Sequence, residues 1–370
     1  MTPVTDEQTF ADLAWFHRFT LEPDATLDQA ESDQIEARRY GRDADLATIV
    51  RRLDLILEDP NSQGAAIRSK IYGIAGNTWL FLPTGDRGTN IQKAIEHQNV
   101  SLQFRTLEEH PVEWARTQNN LGLAWSELLT GDRGANIENA IECYKAALQV
   151  HTREHYPVKW AATNNNLGGA WWKLPAGPTG DRGANIESAI ECYKATLQVY
   201  TRKHHSIEWA KTYNNLGAAW LDLPTGKRGA NIQKAIHCFE AALQVRTRKQ
   251  YPVDWATTKN NLGGAWGQLS TGDRRANIQK AIDCFKAALQ VRTRTHHPVS
   301  YAKTTANLGV MQAEANKLGQ DLGNPVASWK AAMEAFEAAG AGLMAEQIHG
   351  WIVDWEVGGA GDAEGGGSPA

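Results

Sequence analysis

Along residues 111–153 the apolar positions rise and fall with a helical period twice over, and the two rhythms differ in kind. In Pro111 to Leu129 (PVEWARTQNNLGLAWSELL) apolar or small residues fall at Trp114, Ala115, Leu121, Gly122, Ala124 and Trp125. That spread predicts a helix with two packed faces, opened by a proline where a helix tolerates one. In Asn136 to Arg153 (NIENAIECYKAALQVHTR) Ile137, Ala140, Ile141, Tyr144, Ala147, Leu148 and Val150 recur near 3.6 residues, behind an asparagine suited to capping. A short link, TGDRGAN (Thr130 to Asn136), joins the two, so an antiparallel helix pair is expected.

The pair then repeats. NNLGLAW at Asn119 returns as NNLGGAW at Asn165, NNLGAAW at Asn214 and NNLGGAW at Asn260, with ANLGVMQ at Ala306 as a decayed copy. The leucines of these motifs, Leu121, Leu167, Leu216, Leu262 and Leu308, are spaced 46, 49, 46 and 46 residues apart. The longer interval holds three extra residues near Ala176 to Pro178. A fixed period of this size predicts an all-α solenoid in which each pair packs on its neighbours and offers partners an extended concave surface.

Leu121-Gly122, Trp125, Ala140, Tyr144 and Ala147 resemble the Leu-Gly, aromatic, Ala, aromatic, Ala signature of tetratricopeptide repeats (TPR), with a longer loop between the helices. The similarity runs from about Leu27 to Gly340. It implies a right-handed TPR-like α-solenoid of antiparallel helix pairs with a 46-residue period. Two subfamilies are more similar still. The frame HPxxWAxTxNNLG followed by AIxCYxxALxVxTR resembles kinesin light chain repeats, which bind extended peptides in their groove. The GDRxxx loop resembles bacterial arrays associated with caspase-like CHAT peptidase domains. The resemblance implies a non-catalytic scaffold that binds an extended peptide or a partner domain. The alternatives are a sensor or regulatory subunit of a CHAT protease system, and a structural protein that self-associates through near-identical units such as Asn231 to Arg248 and Asn277 to Arg294.

Departures from the frame suggest the limits. Residues 1–26 are read as an N-terminal capping helix, with Phe10, Leu13, Ala14 and Phe16 of Asp6 to Leu21 covering the first pair. Residues 27–340 are read as the array, about seven helix pairs with the first two degenerate. Gly41 to Leu57 is an early second helix with Asp45 in the cap position, and Gly73 to Trp79 (GIAGNTW) replaces the NNLG motif. Residues 341–357 form a capping helix with Trp351 and Trp355 inward, and 358–370 a flexible Gly-rich tail.

In repeats of this class the first helix lines the concave face, and the residues two before and two after the Leu-Gly leucine point inward. Here these are Asn119 with Leu123, Asn165 with Gly169, Asn214 with Ala218 and Asn260 with Gly264. An asparagine amide both donates and accepts, so such a row suits the main chain of an extended peptide. One turn earlier stand Arg116, Ala162, Lys211, Thr257 and Lys303, whose cations favour acidic ligands or a C-terminal carboxylate. The competing reading makes these asparagines bridges between neighbouring helices. The second asparagines, Asn120, Asn166, Asn215 and Asn261, are assigned to packing.

Composition adds little chemistry. A net charge of −4 calls for neither nucleic acid nor an anionic membrane, and no run of 18 apolar residues occurs. The start MTPVTDEQTF has no secretory pattern, so a cytoplasmic address is expected by default. Cys143, Cys192, Cys238 and Cys284 are one repeat position copied four times, which predicts buried thiols and no zinc. The glycine-rich links are read as turn and cap, since they lack the ending of a phosphate-binding loop and usually carry an anion-repelling Asp. The series Trp114, Trp160, Trp209 and Trp255 with Tyr301, and Trp79, Trp125, Trp171, Trp220 and Trp266, are assigned to the core; Trp172, out of register, is a candidate groove contact. His110, His155, His204, His205, His296 and His297 are placed at solvated turns. No nucleophile, base and orienting group stand apart from the repeat, so no catalytic residue, metal or cofactor is expected.

Overall fold

The computed structural model describes residues 11, 12, 15, 18, 19, 22–40, 42–57, 64–176 and 181–361. Every element among them is a helix, and the chain divides into two compact units, Met1–Val199 and Tyr200–Ala370. Unit 1 holds α1 (Pro23–Tyr40), α2 (Asp43–Leu57), α3 (Ala65–Phe81), α4 (Arg87–Phe104), α5 (Pro111–Glu127), α6 (Arg133–Leu148), α7 (Pro157–Lys173) and α8 (Arg182–Thr196). Unit 2 holds α9 (Ser206–Asp222), α10 (Arg228–Leu243), α11 (Pro252–Gln268), α12 (Arg274–Leu289), α13 (Pro298–Lys317), α14 (Pro325–Ala338) and α15 (Gly342–Gly361). Phe10, Leu13, Ala14 and Phe16, the loop residues 177–180 and the tail 362–370 lie outside the described residues.

In the pairs α5/α6, α7/α8, α9/α10 and α11/α12 one contact explains the Leu-Gly motif. The glycine of the first helix lies against the aromatic ring of the second. A Cβ on Gly122 would fall 2.8 Å from Tyr144 Cε1, on Gly168 2.9 Å from Tyr193, on Gly217 2.7 Å from Phe239 and on Gly263 2.8 Å from Phe285. Among the described residues these four rings are the largest wholly buried side chains, and burying each stabilises by about 1.5 to 3 kcal/mol. The tryptophans expected in the core do less. Trp79 is buried and the others only partly so, Trp125, Trp171, Trp220 and Trp266 packing against core clusters from the side; five carry a lysine over the ring, most closely Lys93 on Trp79 at 4.0 Å, Lys234 on Trp220 at 3.9 Å and Lys280 on Trp266 at 4.0 Å.

The TGDRGAN link is built differently from the sequence expectation. Asn136 does not cap: α6 starts three residues earlier, and Asp132 is the cap, accepting from Gly134 N at 2.7 Å and Ala135 N at 3.1 Å. Asp86, Asp181 and Asp273 cap α4, α8 and α12 likewise. Asn136, buried in the first turns, gives its amide hydrogens to Leu128 O (3.3 Å) and Thr130 O (2.9 Å) and so pins the link. Asn90 and Asn277 hold the equivalent pairs of carbonyls. The link's arginine closes the preceding helix, Arg133 donating to Leu128 O at 2.7 Å and Ser126 O at 2.8 Å. Gly131 sits at φ 76°, where a glycine costs least. The polar groups of the link are therefore taken up in turning the chain and capping its helices.

Within each unit the first helices of successive pairs also touch, α3 with α5 and α5 with α7, α9 with α11 and α11 with α13. Second helices make no comparable contacts, so each unit curves with its first helices on the inside. At the ends two boundaries shift. α2 starts at Asp43, which puts Asp45 inside its first turn, and α15 continues past Val357 to Gly361. Trp351 and Trp355 of α15 meet Trp329 edge-on, with centroids 6.2 and 6.0 Å away.

Candidate functional site

The inner faces of the two units hold the asparagine row in two states. In unit 1 the amide oxygen of Asn119 accepts from Asn166 Nδ2 at 3.3 Å; in unit 2 that of Asn214 accepts from Asn261 Nδ2 at 3.3 Å and from Thr258 Oγ1 at 3.1 Å. At these two steps the second asparagine of one pair thus grips the first asparagine of the pair before it. Bridging is real, and it uses only the oxygens; the amide nitrogens of Asn119 and Asn214 hold no partner among the described residues. Asn165 is buried, and Asn260 has an amide oxygen shut from solvent without a partner. Asn307, one period beyond Asn261, stays exposed and does not reach it.

The cations divide in the same way. Arg116 forms an ion pair with Glu31 of α1, so it adds no net charge to the face. Lys211 and Lys303 are exposed and have no carboxylate within ion-pair distance among the described residues. One turn before each lies an exposed aliphatic residue, Ile207 (49%) and Val299 (40%), with Val253 (52%) between them in chain order. A Cβ on Gly264, two residues after Leu262, would meet nothing within 4 Å, so packing does not require a glycine there.

A second polar series escaped the sequence reading. Arg105, His151, Tyr200, Arg246 and Arg292 follow each second helix at the same 46, 49, 46 and 46 spacing, and all but Arg292 are buried. Four of them meet the threonine one place after the Arg116 position: Arg105 donates to Thr117 at 3.4 Å, Arg246 to Thr258 at 3.0 Å and Arg292 to Thr304 at 2.8 Å, while His151 Nδ1 and Thr163 lie 3.1 Å apart. Through Thr258, Arg246 is chained to Asn214. Burial holds Arg105, Arg246 and Arg292 below the usual guanidinium range and pushes the His151 imidazole down to about 4, with help from Lys159. The signal was present as a period, but in the segment read as a helix end.

The remaining chemistry is quiet. All four cysteines are free, Cys238 and Cys284 buried, and burial raises the thiols, Cys143 and Cys238 to about 12. Among the described residues no three His, Cys, Asp or Glu side chains are grouped to hold a metal, and no helix is long and apolar enough to cross a membrane. The turn histidines His110, His155, His204 and His296 are exposed, and Trp172 is half-buried.

No protein-family profile and no curated protein matches the sequence. Solved structures do. A Rap protein complexed with competence and sporulation factor aligns with 95% of this chain and 92% of its own, at 12% identity and a TM-score of 0.53. The apo form of the quorum sensor NprR from B. thuringiensis aligns with 94% of this chain and 99% of its own, at 13% identity and a TM-score of 0.50. At such identities the likeness is one of fold. With the helix pairs and their 46-residue period, it makes this chain an all-α, right-handed TPR-like α-solenoid.

Proposed function

We propose that this protein is a non-catalytic scaffold that holds an extended peptide of a protein partner against the inner faces of its first helices. The observation that carries the proposal is the face of α9, α11 and α13. There Lys211 and Lys303 stand exposed without acidic partners, beside exposed Ile207, Val253 and Val299, over the open space at Gly264. A peptide with acidic and aliphatic side chains complements that surface, and the unused amide hydrogens of Asn214 suit its carbonyls. Asn119 extends the same chemistry, and Asn260 carries an amide oxygen without a partner among the described residues. That a Rap protein was solved with competence and sporulation factor, and that NprR is a quorum sensor, supports a binding role on this fold. The GDRxxx links, through which the chain resembles CHAT-associated arrays, are consumed in capping their own helices, so no protease partner is drawn from them.

The test is a quantitative pull-down with wild type, with Asn119, Asn165, Asn214 and Asn260 all changed to Ala, and with Lys211→Glu/Lys303→Glu, after equal helicity has been checked. The expected result is a partner, mapped to a linear acidic segment, that both variants lose. Recovery of the same proteins by all three would refute the groove.

A further inference from the structure

α15 packs on α14 through Ala345, Ile348 and Ile352, with Trp351 and Trp355 against Trp329. At about 100° per residue, the face directly opposite carries Leu343, Gly350 and Val357, seven residues apart and so aligned along the helix, with Val353 beside them. A helix that covers the end of a repeat array should turn a polar face to solvent. This one does not: Leu343 is 83% exposed, Val357 70% and Val353 42%. Of the twelve exposed large hydrophobic side chains among the described residues, four lie on α15, Met344 being the fourth, and no other helix carries more than one. Clustered apolar exposure of this kind marks an interaction surface, whereas single exposed residues do not.

Shape and charge say what fits there. Gly350 is a notch in the middle of the apolar line, since a Cβ on it would meet nothing within 4 Å. The same notch, filled, joins helices elsewhere in this fold, where Gly122, Gly168, Gly217 and Gly263 each seat an aromatic ring of the helix packed on them. α15 has no Lys or Arg, and its one histidine, His349, lies about 100° round the helix from Gly350. Glu346 and Asp354 flank the apolar line on its two sides, exposed and with no cation within ion-pair distance among the described residues; the third carboxylate, Glu356, is 3.8 Å from Lys330. A second copy of α15 would suit this face badly. Crossed antiparallel at Gly350, it would set Glu346 against the second copy's Asp354, and crossed parallel, Glu346 against Glu346.

We propose that the outer face of α15 docks a cationic amphipathic helix of a partner protein. The helix lays its apolar stripe along Leu343, Val353 and Val357, places an aromatic side chain over Gly350, and sets Lys or Arg against Glu346 and Asp354. Lys211, Lys303 and the asparagine row take no part, so this surface stands or falls separately from the peptide-binding reading.

Methyl NMR of the full chain tests it, with Leu343, Met344, Val353 and Val357 as reporters on α15 and the buried Ile232 as a reporter of the array. The probes are two peptides copied from second helices of this chain, acetylated, amidated and with their cysteine changed to serine. Residues 274–291 carry Phe285 and a net charge of +3, from Arg274, Arg275, Lys280 and Lys286 against Asp283. Residues 133–150 carry Tyr144 and no net charge, with Arg133 and Lys145 against Glu138 and Glu142. The cationic peptide is expected to shift the α15 methyls saturably at about 0.1 to 1 mM, and the neutral one to bind at least about fivefold more weakly. Leu343→Ser/Val357→Ser, read at Met344 and Val353, should weaken the cationic peptide at least about tenfold, and Glu346→Lys/Asp354→Lys should abolish the preference for it. All four positions are exposed, and an unchanged Ile232 signal verifies the fold. Equal binding of the two peptides, a preference that survives Glu346→Lys/Asp354→Lys, or shifts at Ile232 with silent α15 methyls would each overturn the proposal. Concentration-dependent broadening of the α15 methyls without peptide would overturn it in favour of a second copy of the chain.

Discussion

Two adjacent glycines of α11 should respond to alanine with opposite signs. Changing either to Ala adds the same helix propensity, about 0.8 to 1.0 kcal/mol in favour of folding. At Gly263 the new Cβ would lie 2.8, 3.0 and 3.0 Å from Cε1, Cδ1 and Cζ of Phe285. That ring is 2% exposed and packed among Ile278, Ala281, Ile282 and Leu308, so it has nowhere to move. Overpacking of this kind costs about 1 to 3 kcal/mol, which cancels or exceeds the propensity gain. At Gly264 nothing lies within 4 Å, and the gain should survive whole. Propensity drops out of the difference between Gly263→Ala and Gly264→Ala, leaving a steric term of about 1 to 3 kcal/mol. Because arrays unfold by unit, urea melts should be paired with amide exchange across residues 252–289. Equal stability of the two variants, or a more stable Gly263→Ala, would show that the glycine and the ring do not interlock. The same pair separates fold from function, since Gly264→Ala should strengthen the fold while crowding the peptide path.

Two further outcomes follow from the links and the buried series. Lys227 occupies the cap position of α10 with φ −84° and ψ 106°, nearly the −75° and 108° of Asp273, but has no oxygen to offer the helix; Lys227→Asp should stabilise unit 2 by about 0.5 to 2 kcal/mol, and an unchanged urea midpoint would count against the capping role. Burial holds His151 near 4, below the unfolded value of about 6.5, so as pH falls through 6.5 the unfolded chain takes up a proton that the folded chain refuses until about 4, and stability is lost across that window. His151→Tyr, which copies the residue that Tyr200 supplies at the equivalent place, should flatten the dependence of the unit 1 urea midpoint between pH 7 and pH 5; identical slopes would refute the assignment.

The helix pairs were legible because packing writes itself into period. Leu121-Gly122 and Tyr144 recur because each pair needs the same close approach, and a single sequence displays that need several times over. What misled was the assumption that the most polar residue before an apolar run is the cap. Asn136 has the composition of a cap, but Asp132 has the geometry, and only the backbone distinguishes them. The tryptophan series Trp79, Trp125, Trp171, Trp220 and Trp266 does meet the core, Trp79 inside a cluster and the rest at its edge, where a ring half-covered by a lysine stem satisfies the same pattern with less burial. Arg116 could be placed on the inner face from the frame alone, but its partner Glu31 lies 85 residues away, outside any local pattern.

The same logic bears on where recognition resides. In a tandem array the recurring residues are those each pair requires to stack on the next, and the asparagine oxygens are spent in that way at Asn119 and Asn214, which leaves only the amide hydrogens for a ligand. Residues that break the recurrence have only local reasons to exist. Gly73 replaces an asparagine and makes room for Arg105; Arg38 and Phe81 stack on each other with the guanidinium left unpaired; Lys211 and Lys303 stand where Ala162 and Thr257 do not carry charge. A periodic surface alone would hold a peptide in any register, sliding by one pair at little cost. Charges confined to particular pairs would lift that degeneracy, since a slip by one pair would move an acidic side chain away from Lys211 or Lys303. On the proposed reading, the repeats would supply a surface common to every pair, and the departures from them the choice of partner.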